Sequence, residues 1–381
     1  MNTSDFITQK RKLYTALLCD LIKAKTVNPP GNEHLAAKVI KKRLGKVGVK
    51  YKAYEKKKKR TNIVAKVGNE KGTKVLITTH LDVVPPGDGW DTDPFKPVIK
   101  ENILYGRGAC DCKGQATAAL LVLEYLKKRE KQLKSQFIFV FAADEEMGSA
   151  NGLHHLMAKN ILEPDYVIVV DVGGSMKAIT VAEKGVLRLK VVAKGKQAHG
   201  AYPSKGINAI AAMSKFAAKL DHYILKHQLH KYLSRPTINI GTIKGGSAAN
   251  IVPASCEMML DIRYIPGQTP DSIVDELQKL SERFGEFKIT IDKKIPPTEL
   301  DDKHILVETI RQVATKHDIP AKPKGLNGAT DTKSFLLKDI PAVGFDFADD
   351  FVPHTANEYV DLDKLFKFCH VLIDVCLELD K

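Results

Sequence analysis

The sequence predicts an α/β protein, with a largely parallel central sheet flanked by helices and an inserted α+β domain. Three observations predict it. Val75-Leu76-Ile77 and Phe137-Ile138-Phe139-Val140-Phe141 are short apolar runs that read as strands buried on both faces. Such runs alternate with helical stripes up to about Asp171, which argues for a parallel sheet. After about Ala178 the order becomes βαββαβ, that of a small ferredoxin-type sandwich.

Taken in order, Asp5–Lys25 carries apolar residues at Phe6, Leu13, Leu17, Leu18, Leu21 and Ile22, a helical stripe that stops before Asn28-Pro29-Pro30-Gly31. Asn32 is placed to cap a second helix running through Leu44. Strands follow at Asn62–Val67 and Lys74–Thr79, then an irregular loop around Trp90, which reads as a packed anchor. A helix over Gln115–Lys128 leads to the strand Phe137–Ala142, a short helix Ala150–Lys159 and a strand Tyr166–Val170. In the insert, Gly185–Lys194, Thr237–Ile243, Cys256–Tyr264 and Phe287–Ile291 are strands, with helices over Lys205–Leu225 and Asp271–Phe284. Lys293-Lys294-Ile295-Pro296-Pro297 reads as a hinge. Helices Asp302–Lys316, Asp331–Lys338 and Asp361–Leu379 and a strand near Pro341–Phe345 complete the chain. The expected organisation is one domain from 1–178 and 295–381, with 179–294 inserted.

At 381 residues, with 44% hydrophobic and 27% charged, the chain has material for two domains. No apolar stretch is long enough to cross a bilayer, and Met1 to Lys12 lacks the apolar centre of a secretory signal. The six cysteines show no zinc-ribbon spacing and read as reduced thiols of a cytoplasmic protein. Net charge is +14, but the lysines are dispersed. The one dense run, Lys56-Lys57-Lys58-Lys59-Arg60, lacks interleaved aromatics and reads as a solvated hairpin or loop, not a nucleic-acid site.

Chemistry concentrates where strands end. His80 and Asp82 share a face in extended chain, and ligands of open α/β sheets bind at the carboxyl ends of strands. Asp82 is placed to orient the His80 imidazole. Asp111 lies between glycines that permit close backbone approach, in Gly106-Arg107-Gly108-Ala109-Cys110-Asp111-Cys112-Lys113-Gly114. Asp144-Glu145-Glu146 follows a buried strand directly, and Asp171 ends another. With His354, the candidate ligands are His80, Asp111, Glu146, Asp171 and His354, a set suited to two divalent ions, zinc first, with cobalt and manganese as alternatives. Two cations, three carboxylates and a bridging hydroxide sum to zero charge, whereas three carboxylates alone in one crevice repel. Adjacent residues in extended chain face opposite ways, so Glu145 and Glu146 need not do the same job, and one can bind metal while its neighbour acts as general base. Cys110 and Cys112 are expected to point away from Asp111 as small core residues.

His80-Leu81-Asp82-Val83-Val84-Pro85, Gly106-Arg107-Gly108-x-x-Asp111-x-Lys113-Gly114, Asp144-Glu145-Glu146-x-Gly148 and His354-Thr355-x-x-Glu358 resemble, in order and spacing, the signatures of a di-zinc amidohydrolase family. That family contains acetylornithine deacetylase, succinyl-diaminopimelate desuccinylase, aminoacylase and glutamate carboxypeptidase, and the resemblance spans about residues 14 to 378. It implies a zinc-peptidase-like catalytic domain and an inserted lid and dimerisation domain. It implies that Asp111 bridges two metals, that His80 and Asp171 complete one site, and that Glu146 and His354 complete the other. Glu145 would move a proton from water to the leaving amine, and Asp82 would orient His80. In Gly195-Lys196-Gln197-Ala198-His199-Gly200, His199 would stabilise the oxyanion of the neighbouring subunit, while Asn250 and Arg263 would hold the substrate carboxylate.

Three positions depart from the family pattern. Asp171 precedes Val172-Gly173-Gly174 where many members have Gly-Glu-Pro, and Gly344 to Asp350 lacks the frequent Gly-Pro. Glu183-Lys184-Gly185 stands where desuccinylases carry paired arginines. The expected function is metal-dependent hydrolysis of an N-acyl amino acid, as by a deacetylase or desuccinylase of amino-acid biosynthesis, in a homodimer. A di- or carboxypeptidase acting on short peptides is the nearest alternative, and a non-catalytic basic binding protein an alternative of another class.

Overall fold

The computed structural model describes residues 2–381. It divides into two compact units, one formed by Met1–Val181, Leu300–Lys324 and Thr330–Lys381, the other by Ala182–Glu299 and Gly325–Ala329.

The first unit begins with helices α1 (Thr3–Lys23) and α2 (His34–Val47). The Asn2 side chain caps α1 by accepting from the Asp5 N–H at 2.8 Å, and Phe6, Tyr14, Leu17, Leu18, Leu21 and Ile22 form its buried stripe. Strands β1 (Tyr51–Glu55), β2 (Thr61–Gly68) and β3 (Lys74–His80) follow, then β4 (Val98–Lys100), β5 (Ile103–Tyr105), α3 (Lys113–Lys128), β6 (Gln136–Ala142), α4 (Leu153–Ala158), β7 (Tyr166–Val169) and β8 (Ala178–Glu183). The chain returns to this unit with α7 (Ile305–Lys316), the first three residues of β16 (Lys322–Leu326), α8 (Asp331–Leu336), β17 (Ala342–Gly344), β18 (Tyr359–Asp361) and α9 (Leu362–Leu379).

The sheet runs β1-β2-β6-β3-β7-β17-β8. Its centre, β6-β3-β7-β17, is parallel, while β2 pairs antiparallel with β6, and β8 with β17. Every residue of β6 is buried, as its unbroken apolar run requires. All four central strands therefore deliver their carboxyl ends to one edge.

The second unit contains β9 (Gly185–Lys194), β10 (Ala198–His199), α5 (Ala209–Leu220), β11 (Thr237–Gly245), β12 (Ile251–Val252), β13 (Ser255–Tyr264), α6 (Pro270–Ser281), β14 (Glu286–Ile295) and β15 (Thr298–Glu299). Its four-stranded sheet, β11-β13-β9-β14, is antiparallel throughout, the strand order of a ferredoxin-type sandwich. Leu187, Leu189, Val191 and Ala193 of β9, and Met258, Leu260 and Ile262 of β13, alternate inward onto Met213 and Phe216 of α5 and Ile273 and Leu277 of α6.

Several sequence expectations are corrected. Asn32 is not the cap of α2: it adopts φ 92°, and Glu33 occupies the cap position. Residues 293–295 form strand, not hinge, because they pair with Arg188, Leu187 and Val186 of β9. Helix α5 starts only at Ala209, where the Asn208 side chain accepts from the Ala211 N–H at 3.0 Å. Helix α7 starts at Ile305, capped by His304. Among the described residues, no helix is long and apolar enough to cross a membrane. None of the six cysteines forms a disulfide.

Candidate active site

Four parallel strands feed one cluster in the first unit. β3 ends at His80, β6 leads into Asp144-Glu145-Glu146, β7 into Asp171, and β17 into the segment that reaches His354. Asp111 enters from the turn that precedes α3. This is the carboxyl-edge crevice where open α/β sheets hold ligands.

The geometry is two-sided. His80 Nε2 lies 3.0 Å from Asp111 Oδ1 and 3.5 Å from Asp171 Oδ2. His354 Nε2 lies 3.1 Å from Asp111 Oδ2 and 3.2 Å from Glu146 Oε2. Asp111 thus presents one oxygen to each group. His80, Asp111, Cys112 and Asp171 form one set of donor atoms lying within 4.8 Å of one another, and Asp111, Glu146 and His354 form a second. Glu146 Oε1 is buried and has no hydrogen-bond partner.

The electrostatics follow from the crowding of acids. Burial disfavours a charged His80, yet the Asp171 carboxylate, the Cys112 sulfur and the Asp111 hydrogen bond raise its pKa well above the usual imidazole value. Hydrogen bonds to Asp111 and Glu146 raise His354 to about 10. Burial opposes ionisation of Asp111, but the hydrogen bonds from His354 and His80 hold it far below the ordinary carboxylate range. Burial, reinforced by the charge of Asp171, pushes Glu145 well up. Burial likewise raises Asp331 and Asp346, each to about 7. A cluster that holds protons this tightly favours positive charge at its centre.

Asp82 faces both the His80 ring and the acidic turn. The His80 ring contacts the Asp82 backbone carbonyl through Nδ1 at 3.0 Å, and the carboxylate only at 3.5 Å. The carboxylate also accepts from the Glu145 and Glu146 N–H groups, at 3.1 and 3.2 Å, and from Asn28 Nδ2 at 2.8 Å. It fixes the acidic turn. That turn, Glu145–Met147, is a single 3-10 turn entered through Asp144 at φ 68°, so the extended-chain argument for opposite-facing Glu145 and Glu146 does not apply. Cys112 is also corrected. The chain turns at Asp111, and the Cys112 sulfur sits in the His80 group, within 2.9 Å of Thr79 Oγ1 and 3.3 Å from the Val170 carbonyl it faces.

Two supporting clusters escaped the sequence. Glu358 accepts from the N–H groups of Gly108, Cys110 and Asp111 at 3.0, 2.9 and 3.1 Å and from Arg107 Nη1 at 2.7 Å, shaping the Asp111 turn. Its place in His354-Thr355-x-x-Glu358 was the available signal. Arg60, buried at the end of the lysine run, bonds Glu33 at 2.6–3.0 Å and Asp144 Oδ1 at 2.7 Å, behind the acidic turn. Trp90 is a loop anchor: its Nε1 donates to the Pro86 carbonyl at 2.8 Å, and the Arg107 guanidinium lies 5.2 Å from its ring centre.

The remaining site residues lie on the second unit. His199 is exposed on β10 beside exposed Asn250, whose carbonyl accepts from the Gly200 N–H at 2.7 Å. His199 Nδ1 accepts from the Ala201 N–H at 3.0 Å. Arg263 is half-buried on β13, its Nε 2.7 Å from Asp261 Oδ1.

A parallel sheet with acids and imidazoles gathered in two groups around one shared carboxylate defines the class of metal-dependent hydrolases. The chain belongs to peptidase family M20/M25/M40, whose description matches residues 76–378. It is 30% identical over 326 residues to an acetylornithine deacetylase of Myxococcus xanthus, covering 81% of each chain. It is 28% identical over 409 residues to a probable succinyl-diaminopimelate desuccinylase of Staphylococcus aureus (strain N315), covering 97% of this chain and 98% of that one. Its fold matches the Bacillus subtilis YXEP protein, a dinuclear metal binding peptidase, with a TM-score of 0.75 at 15% identity over 99% of both chains. The chain is therefore a hydrolase acting on amide or peptide bonds.

Proposed function

We propose that this chain is a di-metal deacylase that hydrolyses the amide of an N-acyl amino acid carrying a free carboxylate. The observation that carries the reading is the placement of Asp111, with one oxygen toward His80 and the other toward His354. The donor set suits two divalent ions, zinc foremost, held by His80, Asp111 and Asp171 on one side and by Asp111, Glu146 and His354 on the other. The unpartnered, buried Glu146 Oε1 fits this, since a buried carboxylate oxygen without a donor is costly unless a cation meets it. When bound, such a pair polarises the scissile carbonyl and makes water acidic enough to deprotonate near neutral pH.

The chain's own groups do the rest. Glu145, beside these ligands and raised in pKa first by burial, takes a proton from the attacking water and returns it to the leaving amine nitrogen. Asp82 holds the turn that aims it. Arg263 supplies a guanidinium for the substrate carboxylate, with Asn250 as a further polar contact, and His199 serves as oxyanion donor to the site of the neighbouring subunit. The second unit serves as lid and as dimerisation domain, a role supported by the exposed outer strand β11, an unpaired edge. Lys184, engaged by the Arg235 carbonyl, replaces the paired arginines of desuccinylases and favours an acetyl or other uncharged acyl group over succinyl.

A second reading, as a dipeptidase or carboxypeptidase, is favoured by exposed apolar side chains flanking the ligands: Met147 beside Glu146, 61% exposed, and Phe351 near His354, 90% exposed. They offer an apolar rim to a peptide side chain. A panel of N-acetyl and N-succinyl amino acids and dipeptides separates the two by relative kcat/KM. For the shared chemistry, Glu145→Gln is expected to keep its metal content by elemental analysis while kcat falls about 10²–10⁴-fold. Wild-type rates in that variant refute the base assignment.

A further inference from the structure

Away from the active cluster, the first unit holds one more group of metal-ligating side chains among the described residues: His317, His370 and Asp374. His317 caps the C-terminus of α7 one residue beyond Lys316, its backbone N–H tied to the Ala314 and Thr315 carbonyls. His370 and Asp374 are four residues apart on α9 and so share one face of the helix. His317 Nε2 lies 2.8 Å from Asp374 Oδ2, His370 Nε2 lies 3.8 Å from the same oxygen, and the two rings meet edge to face with centres 4.7 Å apart. All three side chains are part-exposed, so an ion can reach them.

We propose that these three residues form a separate site for a borderline divalent ion, zinc foremost. Two imidazoles and a carboxylate are a common zinc donor set, with water completing the coordination. The spacing fits. Bonds of about 2.0 Å in a tetrahedron place ligand atoms about 3.3 Å apart, and the observed 2.8 and 3.8 Å straddle that value. Small side-chain rotations suffice to reach it. The nearby lysines do not compete for Asp374: Lys316 and Lys381 pair with Glu378, one turn further along α9. Because one ligand closes α7 and the others ride on α9, an ion here cross-links the two helices.

The site is independent of the hydrolytic reading, and the test keeps them apart. The full chain, its active cluster loaded, is equilibrated with Zn²⁺, desalted and analysed for metal per chain, alongside His370→Asn and His317→Asn. Wild type is expected to retain one zinc more than either variant, with all three hydrolysing substrate equally. Thermal unfolding of wild type, but not of the variants, is expected to shift upward as zinc is added beyond the amount that saturates activity. A His354→Ala chain is expected to lose activity and still show the His370-dependent zinc. Circular dichroism establishes that the variants are folded, and should one fail, the zinc-dependent shift in wild type alone decides. Equal zinc in wild type and variants, or no shift beyond saturation, overturns the proposal.

Discussion

Arg60 illustrates how much of a site lies in single side chains far from the reacting atoms. Its guanidinium spans the buried carboxylates of Glu33 and Asp144, and Asp144 in turn opens the Glu145–Glu146 turn. Truncation leaves two carboxylates without their cation in a site closed to water, a situation that costs about 3–5 kcal/mol. Arg60→Met is therefore expected to lower the urea midpoint by a corresponding amount, and to impair catalysis through the displaced turn; an unchanged midpoint would show the network to be dispensable. None of this was legible in the sequence. Arg60 closes a run of four lysines that are solvated, and its partners lie 27 and 84 residues away. By contrast His80, Asp111, Glu146 and Asp171 could be singled out because each follows a strong strand signal or borders a glycine-rich turn, whereas His354 stood only on the His354-Thr355-x-x-Glu358 pattern of the family it resembles. What the residue pattern could not convey was orientation. Asp82 bonds the acidic turn more closely than it does the imidazole ring, and Cys112 turns into the site because the chain bends at Asp111.

At the level of elements, the central strands were legible because each carries a short apolar run and is buried on both faces. The turns between them were not, since their geometry is set by long-range acceptors. The Asp111 turn is the clearest instance. It is held from one side by Glu358 and closed from the other by the start of α3, where a Cβ on Gly114 would stand 2.3 Å from the Ala109 carbonyl oxygen. That carbonyl belongs to the backbone and can yield only if the turn moves. Gly114→Ala is thus expected to shift Asp111, weaken metal retention about 10- to 100-fold, as disturbing the support of a ligand typically does, and cost about 1–3 kcal/mol of stability. Metal titration and a denaturation curve check both parts; full metal affinity in a folded variant would mean that Asp111 tolerates movement of its own turn. The same reasoning explains the misplaced hinge. Lys293 and Lys294 look like a polar linker, but their backbone completes the ladder to β9, and their side chains face outward on an edge strand.

For the molecule as a whole, the acids and imidazoles of the cluster couple stability to metal and to pH together. In the metal-free chain Asp331 and Asp346 have pKa values raised by burial to about 7. An acid raised on folding binds more protons in the native than in the unfolded state, so its contribution falls as pH rises from about 4 to about 7. His354, raised to about 10 by Asp111 and Glu146, contributes stability that is complete below the unfolded imidazole value and is lost as pH rises toward 10. Both groups therefore make the metal-free protein weaken as pH increases. Lys113, lowered to about 7 by burial, acts with the opposite sign between about 7 and 10.5, but it is not among the ligand groups and holds no proton that the ions displace. Metal ions replace the protons of their own ligands, His354 among them, and bind more tightly as those ligands deprotonate. The gap in Tm between the metal-loaded and the chelated protein is accordingly expected to widen steadily from about pH 6 to about pH 8.5. At a thousandfold excess of ion over its Kd the metal contributes about 4 kcal/mol, a shift easily resolved by calorimetry. A gap that stays constant or narrows over that range would mean that protons do not occupy the place of the metals, and the reading of this cluster as a metal centre would fall with it.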